Sequence, residues 1–549
     1  MFFEFLKKRW RLFFVITVIA SVWIITIACG NKATQKSGRA LFIIESAPEG
    51  KKTVIDSPGS LSRVGFVSRR SEPDDKELNK MIDEAILQVL GPEGLSTIIK
   101  KGDKVLIKVN NVGPYFGRPG EKGRGVITDP RITRYIAEKV REIIGFEGSA
   151  DIKVADALFS SEKNPSSKNN KASFHSTRLE RGINGKDNVY YDEDCDGILD
   201  GSSKARLVNL DSYGLKERFL AQVKDNHNNY INVLMPLFMR TKEMARKSGL
   251  FTNEYCDVLI GLPLFKSHSI VGVTGALKLH YGFRPFQGLG EDTGRWSHSG
   301  LYFDKKGMHE KQNLLNYLSS QHKVREYDFV LMDCLVGNRR GPQNPDSAFL
   351  KIYEDQPVDF IYSHAILSSK DPVAIDTVET LMAGYDPASI GILETGSRYG
   401  LGNNNPGFIL VEGLTNFMEH KRFLYNTYSP SGKYPFQDGW GEARVLKDKG
   451  LFYPENGNFR VITGIIQNKG MLYTIKYKLE CSKRVEIKPV RVDLYINGTL
   501  FACKNSNPEA TGEINADLGV YKSGNIRYRI IFWDNTLNCL VSNEKVLKL

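Results

Sequence analysis

The sequence predicts an α/β protein, a mostly parallel sheet flanked by helices, with a C-terminal all-β sandwich-like domain. Short, nearly uninterrupted apolar runs carry the first part: KVLIKVN at 104–110, DIKVADA at 151–157, DVLIGLPLF at 257–265 and YDFVLMDC at 327–334. They have the length and composition of strands covered on both faces. Segments of helical period lie between them, notably PRITRYIAEKVREII at 130–144. From about residue 455 the apolar residues change to two-residue alternation, which is the period of half-buried strands.

The chain begins with Lys7, Lys8, Arg9 and Arg11, followed by an uncharged, mostly apolar run from Leu12 to Ala28 and then Cys29 and Gly30. The run is slightly long for a cleaved secretory core and slightly short for a membrane span. Both readings keep the basic residues on the cytoplasmic side and export the chain beyond residue 30. Thr26-Ile27-Ala28-Cys29 resembles a bacterial lipoprotein cleavage box with Cys29 as the acylated residue, although Thr26 replaces the usual aliphatic residue. A lipid anchor at Cys29 and an uncleaved signal anchor both remain open, and either attaches the protein to a membrane on its extracytoplasmic side, periplasmic or at the cell surface. Residues 31–60, with their Lys, Ser, Gly and Pro, read as a tether.

Residues 61–415 form the expected α/β domain. The helix at 130–144 opens with Thr128 or Asp129 as N-cap and Pro130 in its first turn. Each apolar strand ends in a polar or charged side chain: Lys108 and Asn110, Asp156, Lys266 and His268, and Asp333. If the strands are parallel, these residues share the edge where ligands bind in open α/β sheets. Within this domain, 160–230 reads as a loop-rich insertion. It holds DEDCDGILD at 192–200, where Asp192, Asp194 and Asp196 alternate, Gly197 supplies a sharp turn and Asp200 stands at the ninth position. A loop wrapping a hard cation turns every other side chain inward, so these residues and the Ile198 carbonyl predict a structural calcium loop. Ser203 at position twelve, in place of a bidentate Glu, points to the weak affinities of extracellular modules. Downstream, Asp371-Pro372 reads as a helix start, and Asp376 as structural first.

The stretch 257–282, DVLIGLPLFKSHSIVGVTGALKLHYG, is the most informative, because a buried strand runs into Lys266, His268, Lys278 and His280. Together with KVLIKVN, ITDPRITRYIAE, IKVADA, RWSH, FVLMD with Gly341-Pro342 behind it, and 368–402, it resembles the domain-of-unknown-function 362 family. The pieces keep the same order across residues 60–415, with Val109 where relatives often have Pro and Leu279 where they often have Asn. The resemblance implies an α/β fold and a site at these motifs, and no substrate. Many relatives carry a ferredoxin-like run of cysteines; the six cysteines after Cys29 include no CxxC pair, so no iron-sulfur cluster is expected.

At that site Lys266, His268 and Lys278 are the candidate catalytic residues, and Lys108, Asn110, His280, Arg295 and His298 the candidate substrate-binding ones. Clustered Lys and Arg favour a carboxylate or phosphate, the Gly272–Gly275 turn offers backbone N–H donors, and the histidines offer acid–base groups. With Asp156 or Asp333 the histidines could instead hold a divalent transition metal. Two function classes are compatible with this set: an exported enzyme acting on a small anionic substrate, or a membrane-tethered protein that binds such a ligand without converting it. No GxxxxGK[ST] phosphate loop occurs.

Residues 416–454, rich in Tyr, Gly and Pro around Trp440, read as a linker. Beyond it, Val492, Leu494 and Ile496 alternate up to an Asn497-Gly498 hairpin turn, and Ile526, Tyr528, Ile530 and Phe532 alternate up to Asp534-Asn535. The expected sandwich at 455–549 is suited to engaging a surface partner and carries no catalytic grouping. A length of 549 residues requires more than one domain, and 41% hydrophobic with 25% charged residues indicates ample core. The net charge of +12 suits an anionic partner or simple solubility. No basic run is interleaved with aromatics, which argues against nucleic acid.

Overall fold

The computed structural model describes residues 41–45, 58–111, 125–158, 174, 177–179, 188–224, 230–268, 271–284, 311–338, 360–413, 459–468, 470–481, 488–521 and 524–549. The α/β part comprises β1 (Ser62–Ser68), α1 (Asp75–Leu90), β2 (Lys104–Val109), α2 (Pro130–Ile144), β3 (Asp151–Asp156), β4 (Arg206–Asn209), β5 (Val258–Leu262) and β6 (Leu264–His268). It continues through α3 (Ala276–Leu279), α4 (Lys311–Val324), β7 (Phe329–Asn338), β8 (Phe360–Ser369), α5 (Pro372–Met382), α6 (Gly391–Arg398) and β9 (Ile409–Glu412).

The strands lie in the order β9-β1-β8-β7-β5-β2-β3-β4, with β6 continuing the β5 chain past Pro263 alongside β7. Along this order all pairs are parallel except those of β8, which runs against both β7 and β1, and β6 also pairs antiparallel with Gly272–Val273. Alternation along β7 explains why its sequence is apolar throughout. Val330, Met332 and Cys334 enter one core with α5, whereas Phe329, Leu331 and Leu335 enter the other with α1 and α2. Helices α1 and α2 each turn one apolar stripe to the sheet: Leu78, Met81, Ile82 and Ala85 from α1, Ile132, Ile136, Val140 and Ile144 from α2. Truncating any of the large aliphatics in these stripes to Ala costs ~2–5 kcal/mol.

The helix starts obey their sequence signals. Asp129 is the α2 N-cap, accepting the Arg131 N–H at 2.9 Å ahead of Pro130. Asp371 caps α5 by accepting the N–H groups of Val373 and Ala374 at 2.9 and 2.8 Å.

Two segments are more ordered than expected. Within 160–230, Arg206–Asn209 is β4, the edge strand of the main sheet, and Arg218–Lys224 pairs antiparallel with Tyr230–Pro236. The reason is visible in RFLAQVK: Phe219, Ala221 and Val223 alternate and are all buried. Inside the expected tether, Leu41–Glu45 lies parallel to Leu220–Lys224 as a third strand of that small sheet.

The C-terminal segment forms two antiparallel sheets around one core. Phe459–Gln467, Leu472–Cys481 and Thr511–Asp517 make a three-stranded sheet; Thr499–Lys504, Arg491–Ile496, Asn525–Trp533, Cys539–Val541 and Lys545–Lys548 make a five-stranded one. Tyr473, Ile475, Tyr477 and Leu479 from the first meet Val492, Leu494, Ile496, Ile530 and Phe532 from the second. Asn497 and Gly498, with φ of 50° and 81°, make the hairpin turn that their sequence predicts. Among the described residues no helix is long and apolar enough to cross a membrane. The Leu12–Ala28 run, Cys29 and Trp440 lie outside the described residues.

Candidate functional site

Parallel pairing brings the strand ends to one edge. Lys108 is level with Gly261 on one side and Ala155 on the other, Leu264 is level with Asp333, and Lys266 with Asn338. Lys108, Asn110, Asp156, Lys266, His268 and Asp333 are all buried there.

Lys108 and Asp156 close on each other. The Lys108 Nζ lies 2.5 Å from Asp156 Oδ1 and donates to the Val109 carbonyl at 2.7 Å. Asp156 also accepts the N–H groups of Asn111 and Ala157. The chain passes directly over this pair at Gly282, where a Cβ would lie 2.9 Å from both charged atoms. Only glycine permits that approach.

Lys266 is placed differently. It is 2% exposed, yet its Nζ donates to two neutral oxygens, Asn110 Oδ1 at 3.2 Å and the Val126 carbonyl at 2.8 Å. Burial pulls its ammonium down to about 7, although Asp156 and Glu379 favour the charged form. An amine of this kind has a large free-base fraction at neutral pH, able to take a proton or attack an electrophile.

Beside Lys266, α5 presents Asp376 and Glu379 one turn apart. Glu379 Oε1 accepts the Lys266 backbone N–H at 3.2 Å, and its Oε2 is buried with no partner among the described residues. Asp376 accepts the N–H groups of Ala276 and Leu277, at 2.6 and 2.9 Å, in the first turn of α3. Gly275 threads between the two carboxyls: a Cβ there would collide with Asp376 Oδ1 and come within 2.5 Å of Glu379 Oε2. Burial raises Asp376 to about 7 despite its two backbone donors. Burial, assisted by Asp376, holds Glu379 well above the usual carboxylate range.

The remaining predicted residues divide. Asp333 accepts the N–H groups of Asp129 and Leu335 at 2.8 and 3.0 Å, and burial raises it to about 7. Strands β2 and β5 stand between β3 and β7, three spacings of about 4.8 Å, so Asp156 and Asp333 are not brought together as one set of metal ligands. His268 is buried, with its Nδ1 3.5 Å from the Val271 backbone nitrogen, and alternation along β6 puts it on the same side as Lys266. The Lys278 Nζ lies 4.0 Å from the centre of the Tyr281 ring. His280 is turned into the packing instead: its ring stacks on His322 at 3.7 Å and its Nε2 meets the Arg325 carbonyl at 2.8 Å. Burial and His322 keep it neutral, well below the usual imidazole range. Arg295, His298 and Gly341-Pro342 lie outside the described residues.

Sequence reasoning missed Glu379 and Asn111. The signal for Glu379 was an acid in PVAIDTVETLM, a helix buried at every position. Asn111 had no such signal, although both polar atoms of its side chain are buried with no partner among the described residues.

The acidic loop is a separate place. Ligand oxygens of Asp192, Asp194 and Asp200 lie within 4.8 Å of one another. Asp196 accepts the Ile198 N–H at 2.7 Å, and Ile198 bridges to Arg206. Gly197 makes the turn with φ of 79°, and Arg134 reaches Asp200 Oδ2 at 3.1 Å.

Comparison with known proteins adds a family match over part of the chain and no activity. Residues 246–380 match the family described as domain of unknown function (DUF362), a span that includes β5, β6, β7, β8 and the Asp376–Glu379 turn. A search of curated proteins finds no match. Among solved structures, the spore cortex lytic enzyme SleM of Clostridium perfringens is 13% identical over 16% of this chain and 26% of its own, with a TM-score of 0.13. A polysaccharide deacetylase from Bacillus cereus is 10% identical over 17% and 30%, at 0.13. The catalytic module of the metalloprotease ZmpA from Clostridium perfringens is 14% identical over 32% and 28%, at 0.14. The chain thus spans about a third or less of each of these structures.

Proposed function

We propose, with the family match of residues 246–380 as the premise, that this chain is an exported, membrane-anchored enzyme acting on a small anionic substrate at the carboxyl edge of its sheet. The observation that carries the reading is the buried Lys266 amine, which among the described residues meets two neutral oxygens, on Asn110 and Val126, and has no ion pair. Structural lysines at such depth are normally ion-paired, as Lys108 is with Asp156. Lys266 serves as base or nucleophile, with His268 and Lys278 on the same segment as its partners and Lys108 and Asn110 fixing the surrounding field.

The test uses the chain purified from its native membrane fraction, thermal-shift and native mass measurements, and a panel of small carboxylates and phosphates. Turnover of one member, lost in Lys266→Ala with the fold intact, supports the enzyme reading. Binding without turnover under every condition favours the ligand-holding alternative, and equal binding by Lys266→Ala removes Lys266 from the site.

Calcium at the 192–200 loop remains a second proposal, motivated by the convergence of Asp192, Asp194 and Asp200. Calorimetry should give a dissociation constant of about 10⁻⁴–10⁻³ M. Asp192→Asn should abolish the signal, and an unchanged signal would place the ion elsewhere.

A further inference from the structure

The edge of the sheet opposite Lys266 carries three loops, each leading into a strand: 91–103 before β2, 145–150 before β3 and 249–257 before β5. Because β5, β2 and β3 are neighbours, the loops emerge side by side. They are also bonded together. Gly102 donates to the Ile144 carbonyl at 2.9 Å and its own carbonyl accepts the Ser149 hydroxyl at 2.6 Å, while Lys104 Nζ reaches the Asn253 carbonyl at 2.7 Å. Large apolar side chains are turned outward from the two outer loops: Phe146 is 69% exposed, Leu250 40% and Phe251 61%. An arginine holds each of these loops from beneath. Arg240, fully buried, donates to Ser248 Oγ and to the carbonyls of Leu250, Phe251 and Glu254 at 2.7–3.0 Å. Arg141 donates to the Gly145 carbonyl at 2.7 Å and lies 4.7 Å from the Phe146 ring. Phe251 has φ of 48°, a left-handed backbone that an aromatic residue rarely adopts and that the Arg240 bonds sustain. Apolar groups exposed singly need no explanation, but a preorganised set on one edge marks a contact surface.

We infer that this edge rests on the anionic surface of a membrane, with Phe146, Leu250 and Phe251 entering the headgroup region. The inference takes from the proposed function only the membrane attachment. Charge favours a lipid surface: Lys100, Lys101, Lys242, Arg246 and Lys247 are exposed on these loops and the helix Lys242–Ser248. The exposed acids of the same segments are Glu93, Glu147 and Glu243, and Glu243 is occupied by Lys247 at 2.6 Å. Basic residues beside projecting aromatic and aliphatic ones are the composition that binds an anionic interface. Chain length agrees. From Cys29 to Leu41 the chain spans at most about 40 Å. Leu41 is level with Leu220, and Leu220 with Leu234, which puts Leu41 two strand spacings and one short chain segment from Arg240, about 30 Å at most. With this edge on the membrane, the Lys266 edge faces away from the bilayer, toward the aqueous side from which a small anion arrives.

The experiment places a photoreactive benzophenone side chain in place of Phe146, Phe251 or Val520 in the full chain, reconstituted in vesicles of phosphatidylcholine with phosphatidylglycerol. Val520, 74% exposed on the C-terminal module, is the reference. Lipid adducts measured by mass spectrometry should form at 146 and 251 and not at 520. They should weaken with salt and in phosphatidylcholine alone. Arg246→Glu together with Lys247→Glu should cut the yield at 251 about fivefold or more. A chain that floats with the vesicles but gives no lipid adduct at 146 or 251, or equal adducts at 520, overturns the inference and leaves the attachment standing. Adducts to protein in place of lipid at those positions also overturn it, since they assign the edge to a partner chain. A chain that does not float with the vesicles overturns the attachment, and the docking with it. The substituted side chains are all exposed, and a melting temperature equal to the wild type's checks that the fold is unchanged.

Discussion

An amine moved from water into an apolar interior loses its hydration, and two neutral oxygens replace only part of it. That is the state of Lys266, bound to Asn110 and to the Val126 carbonyl. Because its folded titration lies near 7 and its unfolded one near 10.5, the unfolded chain binds more protons between those limits. Its contribution therefore makes stability rise with pH across that window and stay constant below it. Lys266→Met should thus raise the melting temperature most at pH 7 and below, by the equivalent of ~1–4 kcal/mol, with the gain fading toward pH 10.5. Asp333, lifted from 3.8 to about 7, acts oppositely: its stabilisation is fully present below pH 3.8 and is lost as pH rises through 7. Melting curves of Lys266→Met and Asp333→Asn against pH separate the contributions. The strand-end rule located Lys266, Asn110 and Asp156, because a parallel sheet leaves no choice about where the last side chain of each strand goes. The Lys/His cluster after the strand misled at His280, since a histidine stacked on His322 and one facing a ligand read alike in sequence. Glu379 was passed over because its partner, Lys266, lies 113 residues away.

At the scale of elements, the acid face of α5 holds the short helix α3 in place. Asp376 satisfies two of the amides that a helix start leaves without partners. Asp376→Ala should cost ~2–5 kcal/mol in denaturant unfolding, because both buried donors lose their acceptor. Asp376→Asn keeps one carbonyl and should cost less; equal losses would show that the cap is incidental. Reading Asp371-Pro372 as a helix start and Asp376 as structural needed only local rules, and the structure agrees with both. The Arg218–Pro236 hairpin was hidden by the polar residues before it, although the alternation of Phe219, Ala221 and Val223 was present. No local signal announces that Leu41–Glu45 will pair with a strand almost 180 residues later.

For the whole molecule, the C-terminal sandwich is more than an appendage. Ile531, Trp533 and Leu537 share a hydrophobic cluster with β1, β7 and α5 residues of the α/β part. Arg491, fully buried, bonds the Ile409 carbonyl of β9 at 2.5 Å, pairs with Asp493 at 3.0 Å and lies 4.6 Å from the Trp533 ring. Removing one member of such a buried pair costs ~3–5 kcal/mol, so Arg491→Ala should destabilise the protein by that amount. Circular dichroism should show loss of helix and sheet together; a transition confined to the β-module would mean the two parts melt independently. The sheet-over-sheet pattern at 455–549 was legible from alternation, but its docking on β9 was not, because Arg491 reads as an ordinary exposed strand residue until its burial is seen.

The central claim is that a lysine at the carboxyl edge of this sheet is available as a neutral amine at physiological pH. Competitive acetylation of the intact chain across pH, read residue by residue by peptide mass spectrometry, measures it without knowledge of the substrate. The account predicts a Lys266 midpoint of about 7. A Lys266 midpoint at the ordinary lysine value of 10.5 would contradict it.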